Sequence, residues 1–244
     1  MLEGMYSAAA GMAAQQHRLD ALSNDIANVD TTGYKRVRVA FRDLLYTPET
    51  LATQNVTEGA GAAATMIGRG YAQGAAQRTD VPTDVLIQGQ GFLRMRRGDG
   101  TEMLTRDGNL RFDGQGRLGS HRGDLVQPEI KLPAGANEAD VKIAEDGRVT
   151  VGTTEIGRLQ LVTVPSPDKL QALGDNGFAA TAESGPVRAA DAGTKLTQGA
   201  LEMSNVDMGD AIAEMTEAQR AYEMASKAIQ AQDRAAEIAN GIKR

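Results

Sequence analysis

The sequence predicts an α+β protein, in which an antiparallel all-β central domain is flanked by long N- and C-terminal helices that pair as a coiled coil. Near both ends of the chain, apolar residues recur every seven positions, which is the spacing of a seam between two helices. The middle of the chain alternates apolar and polar residues in short runs separated by turn dipeptides, as antiparallel strands do. We therefore divide the chain into residues 1–46 (first helix and junction), 47–80 (Gly/Ala-rich arm or linker), 81–195 (β domain) and 196–244 (second helix).

The first helix is predicted over residues 2–29, which contain no proline. Its apolar residues form a narrow stripe, and the seam candidates are Met5, Met12, Leu19, Leu22, Ile26 and Val29. Such a stripe could cover the core of its own domain, but the chain that follows reads as a sheet with a core of its own. Because a lone amphipathic helix is only marginally stable, we expect the seam to need a partner.

The first helix should end between Asn28 and Gly33, where polar side chains compete for backbone hydrogen bonds and glycine permits a turn. The junction candidates are Asn24, Asn28, Thr31, Gly33, Tyr34 and Lys35. We expect substitution at Asn28 or Gly33 to misplace the β domain while leaving it folded. Residues 34–46 are expected to be extended at first and helical near Asp43. Residues 47–79 fit either a flexible linker or an arm that becomes ordered against neighbouring molecules, and the sequence leaves both interpretations open.

The β domain is predicted from two-residue alternation and from Asp-Gly turns. The dipeptides expected in hairpin turns are Asp99-Gly100, Asp107-Gly108, Asp113-Gly114 and Asp146-Gly147. A domain of about 100 residues is large enough to bury its own core.

The second long helix is predicted to begin after Asp207, whose side chain suits an N-cap. Its seam candidates are Met208, Ile212, Met215, Tyr222, Ala225 and Ile229. The two predicted seams could pair with each other, with other copies of the chain, or with both.

Composition excludes several classes of function. The net charge of -6 and the scattered Lys and Arg residues argue against nucleic acid, and the absence of cysteine removes thiolate chemistry. The two histidines lie far apart at His17 and His121, so we expect no metal, no cofactor and no catalytic site. The chain shows neither a secretory signal nor an apolar run of about 20 residues, which would by itself indicate a soluble cytoplasmic protein unless export uses no cleaved signal.

Five segments, in this order along the chain, resemble the bacterial flagellar rod and hook axial proteins. The segments are Ser23–Arg36 (SNDIANVDTTGYKR), Ile87–Phe92 (IQGQGF), Thr105–Gly108 (TRDG), Ser204–Val206 (SNV) and Gln219–Glu223 (QRAYE). They include both ends and the middle of the chain, so the resemblance extends over most of it.

The resemblance implies a structural subunit that leaves the cell unfolded through the flagellar type III export apparatus, without a cleaved signal peptide. It also implies helical self-assembly into the basal-body rod, with the terminal helices as the inner tube, so that torque passes from motor to hook. The expected partners are further copies, neighbouring rod and hook proteins, the export apparatus and surrounding ring proteins. The segment Phe41–Tyr46 and the Gly/Ala-rich stretch after it look most like distal rod members. Alternatives are a proximal rod subunit and a coiled-coil dimeric adaptor.

Overall fold

The computed structural model describes residues 2–46, 58–191 and 193–242. The chain forms two compact units. The helical unit contains Met1–Ala27, Val37–Ile67 and Asp207–Arg244, and the β unit contains Asn28–Arg36 and Gly68–Val206. Each unit is therefore built from segments that lie far apart in the sequence.

The helical unit contains both long helices and the first two strands. Their bounds are α1 Leu2–Ala27, β1 Val37–Tyr46, β2 Glu58–Arg69 and α2 Met208–Ile242. Strands β1 and β2 form a two-stranded sheet. The expectation of helix near Asp43 is wrong, because β1 stays extended to Tyr46; its β-branched and aromatic residues favour a strand. Part of the Gly/Ala-rich arm is β2, and its first residues, 47–57, lie outside the described residues.

The two helices contact each other and run in opposite directions. Arg18 Nη2 lies 3.1 Å from Glu217 Oε2. Nearer the start of α1, a Cβ on Gly4 would lie 2.4 Å from Gln232 Nε2, so later residues of α2 face earlier residues of α1. The buried apolar side chains described in this unit are mainly small, namely Ala14, Ala21, Leu22, Ala211 and Ala218. Small residues let the two helices approach closely.

The β unit carries sixteen strands in its described residues. They are β3 Ala76–Arg78, β4 Val85–Gln88, β5 Phe92–Arg96, β6 Glu102–Thr105, β7 Leu110–Phe112, β8 Leu118–Ser120, β9 Leu125–Val126, β10 Val141–Ile143, β11 Arg148–Val151, β12 Thr154–Arg158, β13 Leu161–Thr163, β14 Gln171–Gly174, β15 Gly177–Ala179, β16 Arg188–Ala189, β17 Lys195–Gln198 and β18 Ala200–Glu202. Short 3-10 helices cover Glu138–Asp140 and Pro167–Lys169.

The strands of the β unit pair antiparallel. In the described residues the main sheet has the order β14-β15-β6-β5-β9-β8-β7, and β13 joins β5 and carries β16. Strands β10, β11 and β12 form a separate sheet, while β17 pairs with β4 and β18 with β3. Residues 196–244 were predicted to belong to the second helix. Strand β18 and most of β17 lie in this segment, and the helix itself begins only at Met208.

Two apolar clusters fill the β unit. The larger includes Val85, Leu93, Leu118, Ile130, Val149 and Leu159. The smaller is built around Phe92 and Phe178, and the ring of Tyr71 meets these two rings edge to face at 5.5 Å and 5.7 Å between centroids. Aromatic rings prefer this edge-to-face geometry. The β unit thus has a core built entirely from its own residues.

Three of the four predicted Asp-Gly turns are confirmed. Asp99-Gly100, Asp113-Gly114 and Asp146-Gly147 connect strand pairs β5-β6, β7-β8 and β10-β11. The prediction for Asp107-Gly108 is wrong, because β6 and β7, which flank it, are not paired. Gly108 serves close packing instead, since a Cβ there would lie 1.7 Å from the carbonyl oxygen of Val85.

Candidate functional site at the chain crossings

The polypeptide passes between the two units at four peptide bonds. These crossings follow Ala27, Arg36, Ile67 and Val206. Beside three of these crossings, residues of the β unit form hydrogen bonds with one another. We call Lys35, Arg106, Glu202 and Asn205 the crossing cluster.

Glu202, the last residue of β18, accepts hydrogen bonds from two buried cations. Lys35 Nζ donates to Glu202 Oε1 at 2.6 Å, and Arg106 Nε donates to Oε2 at 2.8 Å. The side chains of Lys35 and Glu202 are 0% exposed and that of Arg106 is 2% exposed. The amide of Gly74 also donates to Oε1, at 2.8 Å. Hydrogen bonds between ionised groups are stronger than neutral ones, particularly away from water.

Backbone carbonyls complete the hydrogen bonding of the two cations to different extents. Lys35 Nζ donates to the carbonyl oxygen of Ala72 at 2.7 Å. Arg106 donates to the carbonyl oxygens of Gly91 at 3.0 Å, Gly89 at 3.1 Å and Ile87 at 3.4 Å. Arg106 therefore has more backbone acceptors than Lys35, and Lys35 depends more heavily on Glu202.

Burial governs the electrostatics of Lys35. Loss of hydration lowers the pKa of Lys35, and the hydrogen bond and charge of Glu202 act in the opposite direction. Arg106 adds a smaller lowering effect on that pKa because it is a second cation nearby. The carboxylate of Glu202 is thus the group that makes a charged Lys35 tolerable in this position.

Asn205 lies in the segment that ends at Val206, and it bonds this segment to the junction Asn28–Arg36. Its Oδ1 accepts from the amide of Arg36 at 2.8 Å, and its own amide donates to the carbonyl oxygen of Tyr34 at 3.4 Å. Its Nδ2 donates to the carbonyl oxygens of Gly70 at 2.7 Å and Ala72 at 3.0 Å. One side chain therefore braces three separate chain segments.

Arg69 reinforces the same place. Its Nη1 donates to the carbonyl oxygen of Lys35 at 2.8 Å. Its guanidinium carbon lies 5.1 Å from the ring centroid of Tyr34 and 5.7 Å from that of Phe178, within the range of a cation–π contact. The segment leaving β2 and the junction are thereby held together within the β unit.

Thr32 and Gly33 are bound by the β unit as well. Thr32 Oγ1 donates to Asp107 Oδ1 at 2.9 Å, and Asn176 Nδ2 donates to the carbonyl oxygen of Thr32 at 2.8 Å. The amide of Gly33 donates to the carbonyl oxygen of Glu202 at 2.7 Å. Gly33 has φ +68°, and a Cβ on it would lie 2.7 Å from the amide nitrogen of Asp107. Glycine is required at this position for both reasons.

These contacts make the junction residues Asn28–Arg36 part of the β unit. Gly33 lies inside the β unit, so its substitution should strain that unit instead of only reorienting it. A local turn also joins Thr31 and Tyr34, in which the amide of Tyr34 donates to the carbonyl oxygen of Thr31 at 3.3 Å.

The junction candidates do not form one group. Asn24 lies in α1, within the helical unit. Asn28 and Thr31 form the turn after that helix, where Thr31 Oγ1 donates to Asn28 Oδ1 at 3.2 Å. Gly33, Tyr34 and Lys35 are buried. Sequence reasoning placed Lys35 at the junction but gave it no partner.

Three members of the crossing cluster, Arg106, Glu202 and Asn205, are absent from the predicted site residues. Arg106 and Asn205 lie in segments that carry the family resemblance, so that resemblance was the available signal. Glu202 lies outside those segments, and nothing in its local pattern distinguishes it from a solvent-facing strand residue. Its role depends on residues 167 and 96 positions away.

The seam candidates differ in burial. Leu22 is buried, Met208 and Ile212 are exposed, and partly buried positions are Met5, Met12, Leu19, Ile26, Val29, Met215, Tyr222, Ala225 and Ile229. Val29 belongs to the β unit. The seam remains a prediction for the assembled state.

Three family models match separate parts of the chain. "Flagella basal body rod protein" matches residues 5–35, "Flagellar hook protein FlgE/F/G D1 domain" matches residues 86–151, and "Flagellar basal body rod FlgEFG protein C-terminal" matches residues 197–242. The flagellar basal-body rod protein FlgG of Borreliella burgdorferi is 38% identical, with 100% of both chains covered. The chain belongs to the flagellar basal-body rod protein family.

Other relatives agree with this assignment. The FlgG protein of Caulobacter vibrioides is 38% identical over 95% of this chain and 96% of the relative. That of Bacillus subtilis is 35% identical over 96% of each chain. The rod family is structural and not enzymatic, and its members are axial components of the rod and hook. Neither described helix is long and apolar enough to cross a membrane.

The crossing cluster joins all three matched regions of this rod-family chain. Lys35 belongs to the first region, Arg106 to the second, and Glu202 and Asn205 to the third. The family's separately matched parts therefore meet in one buried set of hydrogen bonds.

Proposed function

We propose that the protein is a distal rod subunit that polymerises helically and transmits torque from motor to hook through contacts among its terminal helices. In this proposal α1 and α2 pair as a coiled coil that forms the inner tube, and the β unit forms the outer layer. In this proposal the inner-tube halves are the helical-unit parts of the predicted segments 1–46 and 196–244, namely residues 1–27 with 37–46, and residues 207–244.

The observation that carries the proposal is the distribution of exposed apolar side chains. In the described residues most of the large exposed ones belong to the helical unit: Tyr6, Phe41, Leu45, Met66, Ile67, Met208, Ile212, Met224 and Ile238. The β unit exposes only Val81 and Val187 among its described large apolar residues. Exposed apolar surface of this extent is typical of a protein–protein interaction surface.

A subunit whose apolar residues remain exposed gains stability by contacting further copies. Contacts of one kind repeated between identical subunits build a helical filament when the rotation between neighbours does not close into a ring. Neighbouring rod and hook proteins would extend the same axial stack, because the C-terminal family model matched by residues 197–242 is described for FlgEFG proteins together.

The crossing cluster supports torque transmission. Torque applied to the helices reaches the β unit through the crossings, and the cluster bonds the residues beside those crossings to one another. Buried charged hydrogen bonds give a rigid and specific arrangement when every member is satisfied. We further propose export through the flagellar type III apparatus without a cleaved signal, and contact with surrounding ring proteins in the basal body.

The test compares two exposed apolar side chains, one on each unit. Ile212→Asp changes α2 at a residue that is 52% exposed, and Val187→Asp changes the β unit at a residue that is 40% exposed. We expect Ile212→Asp to prevent growth of large assemblies in concentration-dependent light scattering and to abolish swimming in a complemented rod-deficient strain. Val187→Asp should assemble like the wild type.

The same measurement separates a rod subunit from a coiled-coil adaptor. A dimeric adaptor reaches a fixed mass as concentration rises, whereas a rod subunit continues to grow. Normal assembly and swimming of the Ile212→Asp variant would contradict the proposed use of the helical surface.

A further inference from the structure

Glu202 supplies the carboxylate of both buried ion pairs in the described part of the crossing cluster. Lys35 and Arg106 lie 167 and 96 residues before it in the chain. The anion therefore comes from the last strand of the β unit, whereas one of its cations lies in the junction next to the first helix. A buried cation without its counter-ion is strongly destabilising.

Most of the β-unit core is independent of the residues around Glu202. The larger apolar cluster draws on residues between Val85 and Leu159, with Leu196 as its member from the C-terminal strands. The smaller cluster lies between Phe92 and Phe178, with Tyr71 and Leu170 packed against it. These residues can bury their apolar surface before the final strand is in place.

The junction is held by contacts of two kinds. Thr32 bonds to Asp107 and Asn176, and the carbonyl oxygen of Lys35 accepts from Arg69, whereas the junction's other bonds involve the C-terminal end of the β unit. Gly33 bonds to the backbone of Glu202, Lys35 bonds to its side chain, and Arg36 bonds to Asn205. All three contacts depend on residues 202–205. Without them, docking the junction would bury the ammonium group of Lys35 with Ala72 as its remaining hydrogen-bond acceptor.

We propose that Glu202 is a folding latch: the junction Asn28–Arg36 docks onto the β unit only when β18 brings this carboxylate to Lys35. A chain whose C-terminal strand has not yet arrived keeps a largely formed β core and an undocked junction. Docking of the junction, which follows α1 in the chain, and pairing of β18, which precedes α2, then become a single event.

The latch is tested in the full-length chain by amide hydrogen exchange. Glu202→Gln removes the negative charge while keeping the side-chain size. The matched control is Glu102→Gln, because Glu102 also lies in a strand and pairs with Arg94 at 2.6 Å, but its side chain is 63% exposed. The junction is followed at the amides of Gly33, Arg36 and Gly70, and the core at those of Leu118 and Ala144.

We expect Glu202→Gln to accelerate exchange at the junction amides by about 100-fold or more, and exchange at the core amides by no more than about threefold. Glu102→Gln should leave both sets unchanged. Equal behaviour of the two variants would overturn the proposal.

A second variant separates the charge of Lys35 from the shape of Glu202. The double variant Lys35→Met with Glu202→Gln also removes the buried ammonium group, whose other acceptor is the carbonyl oxygen of Ala72. Arg106 keeps its three backbone carbonyl acceptors. We expect this double variant to recover at least about tenfold of the junction protection that Glu202→Gln loses. If the double variant recovers no junction protection, the latch is overturned. This holds even when Glu202→Gln alone unfolds the whole chain. Recovery from a wholly unfolded single variant would support it.

The order of events is tested by pulsed exchange during refolding of the unaltered chain. The amide of Met203 reports on β18 because it donates to the carbonyl oxygen of Ala75 at 2.9 Å. We expect Gly33 and Arg36 to become protected together with Met203 and after Ala144. Protection of Gly33 before Met203 would contradict the proposed order.

Discussion

The helical unit and the β unit differ in how completely each buries its own apolar surface. The β unit encloses two apolar clusters and pairs its buried cations Lys35 and Arg106 with Glu202. The helical unit buries mainly small side chains such as Ala14, Ala21 and Ala218, and it leaves larger ones exposed. The β unit therefore resembles a complete domain, whereas the helical unit resembles part of an interface.

This difference follows from the sequence of each region. Alternating strand residues pair in antiparallel sheets and direct apolar side chains to one face, so the β unit can close a core within one chain. Two helices alone cover only one stripe of each other, and the remaining apolar residues, such as Met224 at 66% exposed, stay accessible to solvent. We therefore expect the β unit to fold by itself and the helical unit to be completed by neighbouring subunits.

The largest expected effect is that of Gly33→Ala. Alanine at φ +68° is strained, and its Cβ would approach the backbone of Asp107 at 2.7 Å. We expect the free energy of unfolding of the β unit to fall by about 4 kcal/mol in urea denaturation. Gly98→Ala is the control, since a Cβ on Gly98 would meet nothing within 4 Å and the φ of that residue is not positive. Equal stability of the two variants would show that the junction is not part of the β unit.

The next effect is that of Leu22→Asp, which places a carboxylate at a site only 3% exposed in the helical unit. We expect a local loss of about 3 kcal/mol, because a buried unpaired charge is strongly unfavourable. Helix content measured by circular dichroism should fall, while hydrogen exchange in β10 and β11 stays at its wild-type level. Ser23→Asp, at the exposed neighbouring position, should change neither quantity. Simultaneous loss of β-sheet protection would mean that the two units do not fold separately.

The smallest effect is that of Asp207→Ala at the start of α2. Asp207 Oδ1 accepts from the amide of Asp210 at 3.0 Å, which caps the helix. Loss of this cap should cost about 1 kcal/mol and increase exchange in the first turn of α2. Asp233→Ala, at an exposed position within the same helix, is the control. If both variants behave alike, Asp207 does not stabilise the helix start.

Much of the fold could be predicted from the sequence because local patterns specify it. The end of α1 near Asn28, the N-cap at Asp207 and three hairpin turns follow from residue types and spacing that act within a few positions. Two predictions based on local pattern were wrong. The segment around Asp43 is a strand paired with β2, and Asp107-Gly108 is a point of close packing, because tertiary contacts decided both.

The sequence by itself determined that two helices flank a β-rich middle, and the family resemblance carried by segments such as Ser23–Arg36 identified the rod family. Only the tertiary structure placed the Asn28–Arg36 part of that stretch inside the β unit and joined Lys35, Arg106, Glu202 and Asn205 into one cluster. The physical reason is distance along the chain. Periodicity reports which face of an element is buried, whereas the partner of a buried charge is fixed by strands that meet from opposite ends of the sequence.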